Sequence, residues 1–129
     1  MNKQILVIDD DAAIRKSFHL ALEDTAFKVD SAESGEKGIE MERQVSYDLI
    51  FLDLKMPGLN GVETLRKIRE NNQEVPVYII TAFHDEYFAD LKKIQADRIH
   101  FELLAKPLDS GQIVAITQAV LGGPRSQKP

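Results

Sequence analysis

Residues 47–61 read YDLIFLDLKMPGLNG, a nearly continuous apolar run that ends in Asp53 and is followed by a turn. Strands that are apolar on both faces are typical of parallel sheets covered on each side by helices. Met56, Pro57 and Gly58 have the composition of a turn, which lets the backbone approach a ligand. This stretch predicts a central strand that brings a carboxylate to the edge of an α/β sheet.

Four further apolar runs flank this strand along the chain, at residues 5–8, 27–32, 75–80 and 101–104. They alternate with segments of helical periodicity, such as residues 12–25 and 61–72. The second run is interrupted by Lys28 and Asp30, which places it closer to a sheet edge. The alternation predicts a five-stranded parallel sheet with five helices.

The chain has 129 residues, of which 43% are hydrophobic, and this length suits one domain with a single core. Its last helix has a capping-box spacing at Asp109 and Gln112, and Gly122 is expected to end it. We expect the domain to span residues 1–121. Residues 122–129, GGPRSQKP, lack periodicity and are predicted to form a linker or tail.

Charge and composition exclude several classes of function. With 16 basic and 21 acidic residues, the net charge of −5 repels phosphates, so we expect no direct binding to nucleic acid. No cysteine is present, which excludes disulfides and thiolate ligands. No apolar run approaches the roughly 20 residues of a membrane span, and the first residues do not resemble a signal peptide. We therefore expect a cytoplasmic protein without a membrane partner.

Ligands of open α/β sheets bind outside the carboxyl ends of the strands. Polar residues follow four of the predicted strands there: Asp9, Asp10, Asp11, Asp53, Thr81 and Lys106. If the first and third strands are neighbours, as in the flavodoxin-like order 2-1-3-4-5, their ends lie about 4.8 Å apart. Carboxylates this close need a cation, and oxygen-only ligands select a hard one, so we predict Mg²⁺ or Mn²⁺.

Four motifs, ILVIDD at 5–10, LDLKMPGLNG at 52–61, Thr81-Ala82 and Lys106-Pro107, together resemble the signature of response regulator receiver domains. The resemblance covers residues 3–121. It implies a flavodoxin-like, doubly wound fold and a signalling phosphoacceptor of a two-component system or phosphorelay, rather than an enzyme with an external substrate. A sensor histidine kinase or phosphotransfer protein would supply the phosphoryl group.

The resemblance also implies a role for each matching residue. Asp53 would accept the phosphoryl group, Asp10 would be a direct metal ligand, and Asp9 would be a ligand or a water-mediated partner. The backbone carbonyl of Lys55 would complete the metal ligands. The phosphoryl oxygens would meet Thr81, Ala82 and Lys106, and a cis bond before Pro107 would aim the lysine.

One departure from the family concerns conformational switching. The family usually has an aromatic residue three positions before the lysine, where this sequence has Leu103. We predict that Leu103 fills the cavity beside Thr81. Phe101, two residues earlier on the same strand face, is expected on the output surface formed by the fourth helix, fifth strand and fifth helix. This surface could bind an effector domain or a second copy of the chain.

Simpler interpretations exist for each residue taken alone. The aspartates at 9–11 could cap a helix, Asp53 could form a turn, and Lys106 could be a solvated charge. The presence of all these residues at one edge of the sheet favours a functional site over these simpler interpretations. His19, His84 and His100 lack a paired metal spacing and are assigned no role, although His84 and Phe83 follow Thr81 closely enough to influence the lifetime of a phosphoryl group.

Two other functions remain alternatives. A metal-dependent aspartyl-phosphate phosphatase of the haloacid dehalogenase kind would need a carboxylate two residues after Asp53, where Lys55 stands. A flavodoxin-like FMN carrier would need a phosphate-binding loop after the first strand, where the acidic residues 9–11 would repel it. Turnover of a phosphomonoester would favour the phosphatase, and flavin absorbance would favour the carrier.

Overall fold

A computed structural model describes residues 2–82 and 87–122 of the chain. In this described part, strands and helices alternate as the sequence predicts. Their bounds are β1 Gln4–Ile8, α1 Ala12–Leu22, β2 Lys28–Ala32, α2 Gly35–Gln44, β3 Leu49–Asp53, α3 Gly61–Asn71, β4 Val77–Thr81, α4 Phe88–Ala96, β5 Glu102–Ala105 and α5 Ser110–Leu121. Among these helices, none is long and apolar enough to cross a membrane.

The five strands form one parallel sheet in the order β2-β1-β3-β4-β5. This order confirms the predicted flavodoxin-like topology, with β2 at an edge. Ile8 pairs with Leu52, and Thr81 pairs with Ala105, so the four strands β1, β3, β4 and β5 end together. The residues that follow these strands therefore meet at one edge of the sheet.

Alternate side chains of the strands form two apolar cores, one on each face of the sheet. The first contains Leu6, Leu52 and Ile79 and packs against buried side chains of α2, α3 and α4. The second contains Val7 and Phe51 and packs against α1 and α5. Because β1 and β3 are covered on both faces, the carboxylates that follow them can be withdrawn from water.

Helix α5 begins and ends where the sequence predicts. Asp109 accepts a hydrogen bond from the backbone N–H of Gln112, whose side chain completes the capping box, and Gly122 ends the helix in the left-handed conformation. Side-chain caps also stand at the starts of α1, α2 and α3, supplied by Asp11, Ser34 and Asn60. The starting residue of α4, Tyr87, makes no such bond.

The apolar runs predict the strands better than they predict where the strands start. Tyr47 belongs to the predicted third strand but precedes β3, and its hydroxyl donates a 2.6 Å hydrogen bond to Asp30. It is buried as a loop residue because its polar end has a partner. Of the predicted tail, residues 123–129 lie outside the described residues.

Gly61 fixes the distance between α3 and the end of β3. Its N–H donates to the Leu54 carbonyl at 2.7 Å, and a Cβ at this position would lie 2.5 Å from the carbonyl oxygen of Asp53. The carbonyl oxygen of Asp53 belongs to the backbone, so this clash could be relieved only if the end of the strand moved. A side chain here would therefore displace the segment that carries Asp53.

We predict that Gly61→Ala lowers the free energy of unfolding by about 1–3 kcal/mol, the usual cost of overpacking. Gly111→Ala is the matched control, since a Cβ there meets only the Asp109 side chain, at 3.3 Å. The control should change stability by less than about 1 kcal/mol. Urea denaturation of both variants checks this prediction, and equal stabilities would contradict it.

Candidate functional site

A cleft of about 250 Å³ opens at the carboxyl edge of the sheet. Seven residues to which the family resemblance assigns a role line it together: Asp9, Asp10, Asp53, Lys55, Thr81, Ala82 and Lys106. Asp11, Leu54 and Tyr87 complete the described lining. The strand order explains why these residues lie together, because β3 lies between β1 and β4, and β5 lies beside β4.

Three carboxylates form an acidic cluster in the cleft. Asp9, Asp10 and Asp53 each offer an oxygen, and these oxygens all lie within 4.8 Å of one another. Asp9 and Asp53 are buried, with 2% and 4% exposure, whereas Asp10 is exposed. Like charges at this separation repel strongly unless cations neutralise them.

The backbone holds the acidic cluster in place. The Asp9 N–H donates to the Ala32 carbonyl at 3.1 Å, and the Arg15 guanidinium donates to the Asp9 carbonyl at 2.7 Å. One side-chain oxygen of Asp9 accepts the N–H of Asp11 at 2.9 Å. On the neighbouring strand, Leu54 N–H donates to the Ile80 carbonyl at 3.1 Å, which fixes the chain directly after Asp53.

Lys106 supplies the positive charge of the cleft. Its Nζ lies 2.8 Å from Asp53 Oδ1 and 3.8 Å from Asp9 Oδ2. The Lys106 N–H donates to the Thr81 carbonyl at 2.9 Å, which extends the pairing of β4 with β5 up to the lysine. The Lys106–Pro107 peptide bond is cis, as the family resemblance implies.

Burial and charge shift the pKa values of these groups. Burial raises the pKa of Asp9 to about 6, and the nearby Asp53 adds to the rise, against the opposing effect of the Asp11 N–H and of Lys106. Burial also raises the pKa of Asp53, although the Lys106 hydrogen bond and charge oppose it. Burial lowers the pKa of Lys106, but Asp53, Asp9 and Asp10 outweigh this effect and raise it overall. The ammonium therefore stays charged.

One oxygen of the cluster lacks a hydrogen bond. Asp9 Oδ2 is buried without a hydrogen-bond partner, because its 3.8 Å distance from Lys106 Nζ is too long for one. In the described part of the chain, Lys106 is the ammonium that pairs with these three carboxylates, and the cleft lining also contains Asp11. An oxygen-only donor set with an unsatisfied oxygen and excess negative charge fits a hard divalent cation, such as Mg²⁺.

Thr81 and Lys55 line the same cleft as the acidic cluster. Thr81 ends β4 and is buried, and its neighbour Ala82 also lines the cleft. Lys55 is exposed at the position where a haloacid dehalogenase phosphatase would need its second carboxylate. The cleft therefore contains a nucleophile and positive charge, but no acid two residues after Asp53.

The two candidate switch positions on and before β5 lie away from the cleft lining. Leu103 is 38% exposed, so the prediction that it fills a cavity beside Thr81 is wrong. Leu103 lies on β5, which in the described part of the chain is an edge strand, and the helix beside this strand leaves its side chain partly uncovered. Phe101 is half-buried against the core that contains Leu91 and Ile94 of α4. Its expected place on the surface formed by α4, β5 and α5 stays a prediction.

Tyr87 is a lining residue that the sequence analysis missed. Its position six residues after Thr81 gave no signal, because the path of the chain between the two residues cannot be derived from periodicity. Phe83 and His84, which the sequence analysis also considered, lie outside the described residues.

A larger cleft of about 570 Å³ lies between α3 and the segment that joins α4 to β5. Two of the three arginines in its described lining, Arg66 and Arg69, already have partners. Arg69 donates to the carbonyls of Val75 and His100, each at 2.7 Å, and Arg66 pairs with Asp97 at 2.7 Å. This cleft is therefore a packing feature of the chain, and the acidic cleft is the better candidate site.

Comparison with known proteins gives a family match over most of the chain. The family described as the response regulator receiver domain matches residues 5–118. The transcriptional regulatory protein ResD of Bacillus subtilis is 36% identical over 92% of this chain and 48% of its own length. The response regulator ArlR of Staphylococcus saprophyticus is also 36% identical, over 92% of this chain and 52% of its own. The chain thus spans about half the length of these relatives.

Solved structures have the same architecture. The response regulator TrrA of Thermotoga maritima, solved in complex with Mg²⁺ and BeF, matches with a TM-score of 0.75 and 30% identity, over 92% of this chain and 98% of that one. A CheY-like receiver domain from Methanospirillum hungatei matches with a TM-score of 0.84 and 20% identity, over 99% and 100% of the two chains. The match to the Methanospirillum hungatei domain supports the fold alone.

We predict that Asp9 makes the metal-free protein less stable as the pH rises from about 4 to about 6. Because its pKa is raised to about 6, the folded protein binds this proton more tightly than the unfolded chain does. The resulting stabilisation is complete below the unfolded value near 3.8 and is lost as the pH rises through about 6. Asp9→Asn removes the charge and keeps an oxygen for the Asp11 N–H.

The variant should therefore gain stability over the parent protein across this pH range, by on the order of 2–3 kcal/mol at about 1.4 kcal/mol per pKa unit. Chemical denaturation in EDTA at several pH values measures the difference. Asp11→Asn, which removes a neighbouring charge outside the acidic cluster, is the control. A stability difference between Asp9→Asn and the parent that does not change with pH would rule out the buried charge as its source.

Proposed function

The chain belongs to the response regulator receiver domain family, and on this premise we propose that Asp53 accepts a phosphoryl group with the help of Mg²⁺ or Mn²⁺. The donor is a sensor histidine kinase or a phosphotransfer protein, as in a two-component system or phosphorelay. Receiver domains are signalling proteins, and this one assists its own phosphorylation and dephosphorylation rather than turning over an external substrate.

The observation that carries this proposal is the position of Asp53 between one ammonium and two carboxylates. Its Oδ1 lies 2.8 Å from Lys106 Nζ, and its carboxylate shares the 4.8 Å cluster with Asp9 and Asp10. Phosphoryl transfer depends on positioning and charge neutralisation more than on covalent machinery. A carboxylate nucleophile that is buried and held by a lysine satisfies the first requirement.

The cleft contains a chemical group for each step of the proposed phosphoryl transfer. An Asp53 oxygen bonds to phosphorus while the bond from phosphorus to the donor atom breaks, and the electron pair of that bond leaves with the donor. Lys106 lowers the pKa of Asp53 against the larger effect of burial, which favours the ionised nucleophile, and it would then pair with the phosphoryl oxygens. The Thr81 hydroxyl and the backbone of Ala82 would meet those oxygens from the neighbouring strand, and both residues line the cleft.

The metal would be held by Asp10 and Asp53 directly, by Asp9 directly or through water, and by the backbone carbonyl of Lys55. When bound, it would supply Lewis-acid neutralisation of the phosphoryl oxygens. The unsatisfied oxygen of Asp9 supports this set of ligands. TrrA, a relative at 30% identity, was solved with Mg²⁺ and BeF, and this likeness supports the same ion here.

The rest of the protein's role follows from the family. We infer that residues 1–121 form the receiver unit and that residues 122–129 lead from it as a linker or tail. The related ResD and ArlR are about twice as long as the match, which supports an effector domain controlled through the α4, β5 and α5 face, or a homodimer through the same face. We propose a cytoplasmic location and no direct contact of this domain with nucleic acid.

Incubation with acetyl phosphate and Mg²⁺ tests the proposed acceptor. We expect the protein to gain one phosphoryl mass, detected by intact mass spectrometry, and Asp53→Asn to gain none. EDTA should suppress the gain, and Asp10→Asn should slow it at least tenfold, because the variant loses a charged metal ligand. Asp11→Asn is the matched control, because asparagine caps α1 as well as aspartate does.

The outcomes separate the candidate functions. Phosphoryl gain by Asp53→Asn would refute the acceptor, and equal rates for Asp10→Asn and Asp11→Asn would place the ion elsewhere. Rapid turnover of p-nitrophenyl phosphate would instead favour the phosphatase alternative.

A further inference from the structure

Tyr87 connects the acidic cleft with α4. It lines the cleft beside Thr81, Ala82 and Lys106, and it is half-buried against the core on the α4 face of the sheet. Among the described residues, it is the aromatic ring in the cleft wall. One side chain thus borders both the site of chemistry and the packing of a helix.

The start of α4 is held differently from the starts of the other described helices. Asp11, Ser34, Asn60 and Asp109 each accept a hydrogen bond from a backbone N–H of the helix that they begin. Tyr87 makes no such bond. The buried residues of α4, Leu91 and Ile94, come one turn or more after Tyr87. Among the described residues, the packing of Tyr87 against the core therefore helps to hold this first turn.

The neighbouring strand offers no comparable connection. Neither Leu103 nor Phe101 lines the cleft within the described part of the chain. Leu103 is 38% exposed, and Phe101 lies before β5, at the end of the strand opposite Lys106. A change at Asp53 therefore meets the Tyr87 ring before it can reach either of these side chains.

We propose that Tyr87 couples occupancy of the Asp53 cleft to the position of the first turn of α4. This inference rests on the proposed phosphorylation of Asp53. A phosphoryl group takes up part of a cleft of about 250 Å³ and draws Thr81 and Lys106 towards its oxygens. Tyr87 in the same wall repacks, and the first turn of α4 moves with it. Phe88, which is 47% exposed and follows Tyr87 directly, changes its presentation to solvent.

Removing Tyr87 has different effects if its side chain only fills space and if it couples the cleft to α4. If Tyr87 only fills space, its removal lowers stability but leaves the response of α4 to phosphorylation unchanged. If it couples, its removal leaves the response at the cleft and weakens the response at α4. Separate readouts at the two places therefore decide between these roles.

Amide NMR of the full chain with Mg²⁺, with and without saturating beryllofluoride, provides both readouts. In the parent protein we expect shifts at Thr81 and Lys106 and also at residues 88–91. Tyr87→Ala should keep the shifts at Thr81 and Lys106 and reduce those at 88–91 at least twofold. Tyr87→Phe should behave as the parent does, because the ring carries the coupling. Phe101→Leu, a change in the same core but away from the cleft, is the matched control and should also resemble the parent.

The proposal would be overturned if the amides of residues 88–91 shifted in Tyr87→Ala as much as in the parent protein. It would also be overturned if these shifts were lost in Phe101→Leu but kept in Tyr87→Ala. The spectrum without beryllofluoride reports whether Tyr87→Ala is folded. If it is not, Tyr87→Leu takes its place with the same expected reduction and the same contradicting result. Absence of shifts at Thr81 and Lys106 in the parent protein would count against the proposed function itself, which keeps the two failures apart.

Discussion

The repulsion between Asp53 and the aspartates after β1 is the constraint on which the rest of the site depends. Three carboxylates each have an oxygen within 4.8 Å of the others, two of them are buried, and the Lys106 ammonium pairs with Asp53. Bringing these charges together is unfavourable, so the rest of the fold must impose it. The same unfavourable arrangement makes the cluster receptive to a divalent cation and to the chemistry that such a cation supports.

The sheet imposes this arrangement through its strand order. Because β3 pairs with both β1 and β4, Asp53 is placed between the acidic residues after β1 and Thr81 at the end of β4. The hydrogen bond from Lys106 N–H to the Thr81 carbonyl then brings the lysine to the same edge. The two apolar cores cover the sheet on both faces, and Gly61 allows α3 to approach the Asp53 backbone closely.

Most of the fold and the acidic cluster could be predicted from sequence because they follow from periodicity. The apolar runs around Phe51 and Val7 indicate covered strands, and parallel strands place their terminal residues together. The residues near α4 could not be predicted in this way. Whether Leu103 is covered depends on the helix beside an edge strand, and the approach of Tyr87 to the cleft depends on a connection without periodicity.

The central claim is that the acidic cluster at the ends of β1 and β3 is a divalent-cation site. Paramagnetic broadening of amide signals by substoichiometric Mn²⁺ tests it most directly, because broadening falls steeply with distance from the ion. The account predicts that amides of residues 9–11 and 53–55 broaden first and that excess Mg²⁺ restores them. Broadening that begins elsewhere, for example around Glu70 and Asp97, or that Mg²⁺ does not reverse, would contradict it.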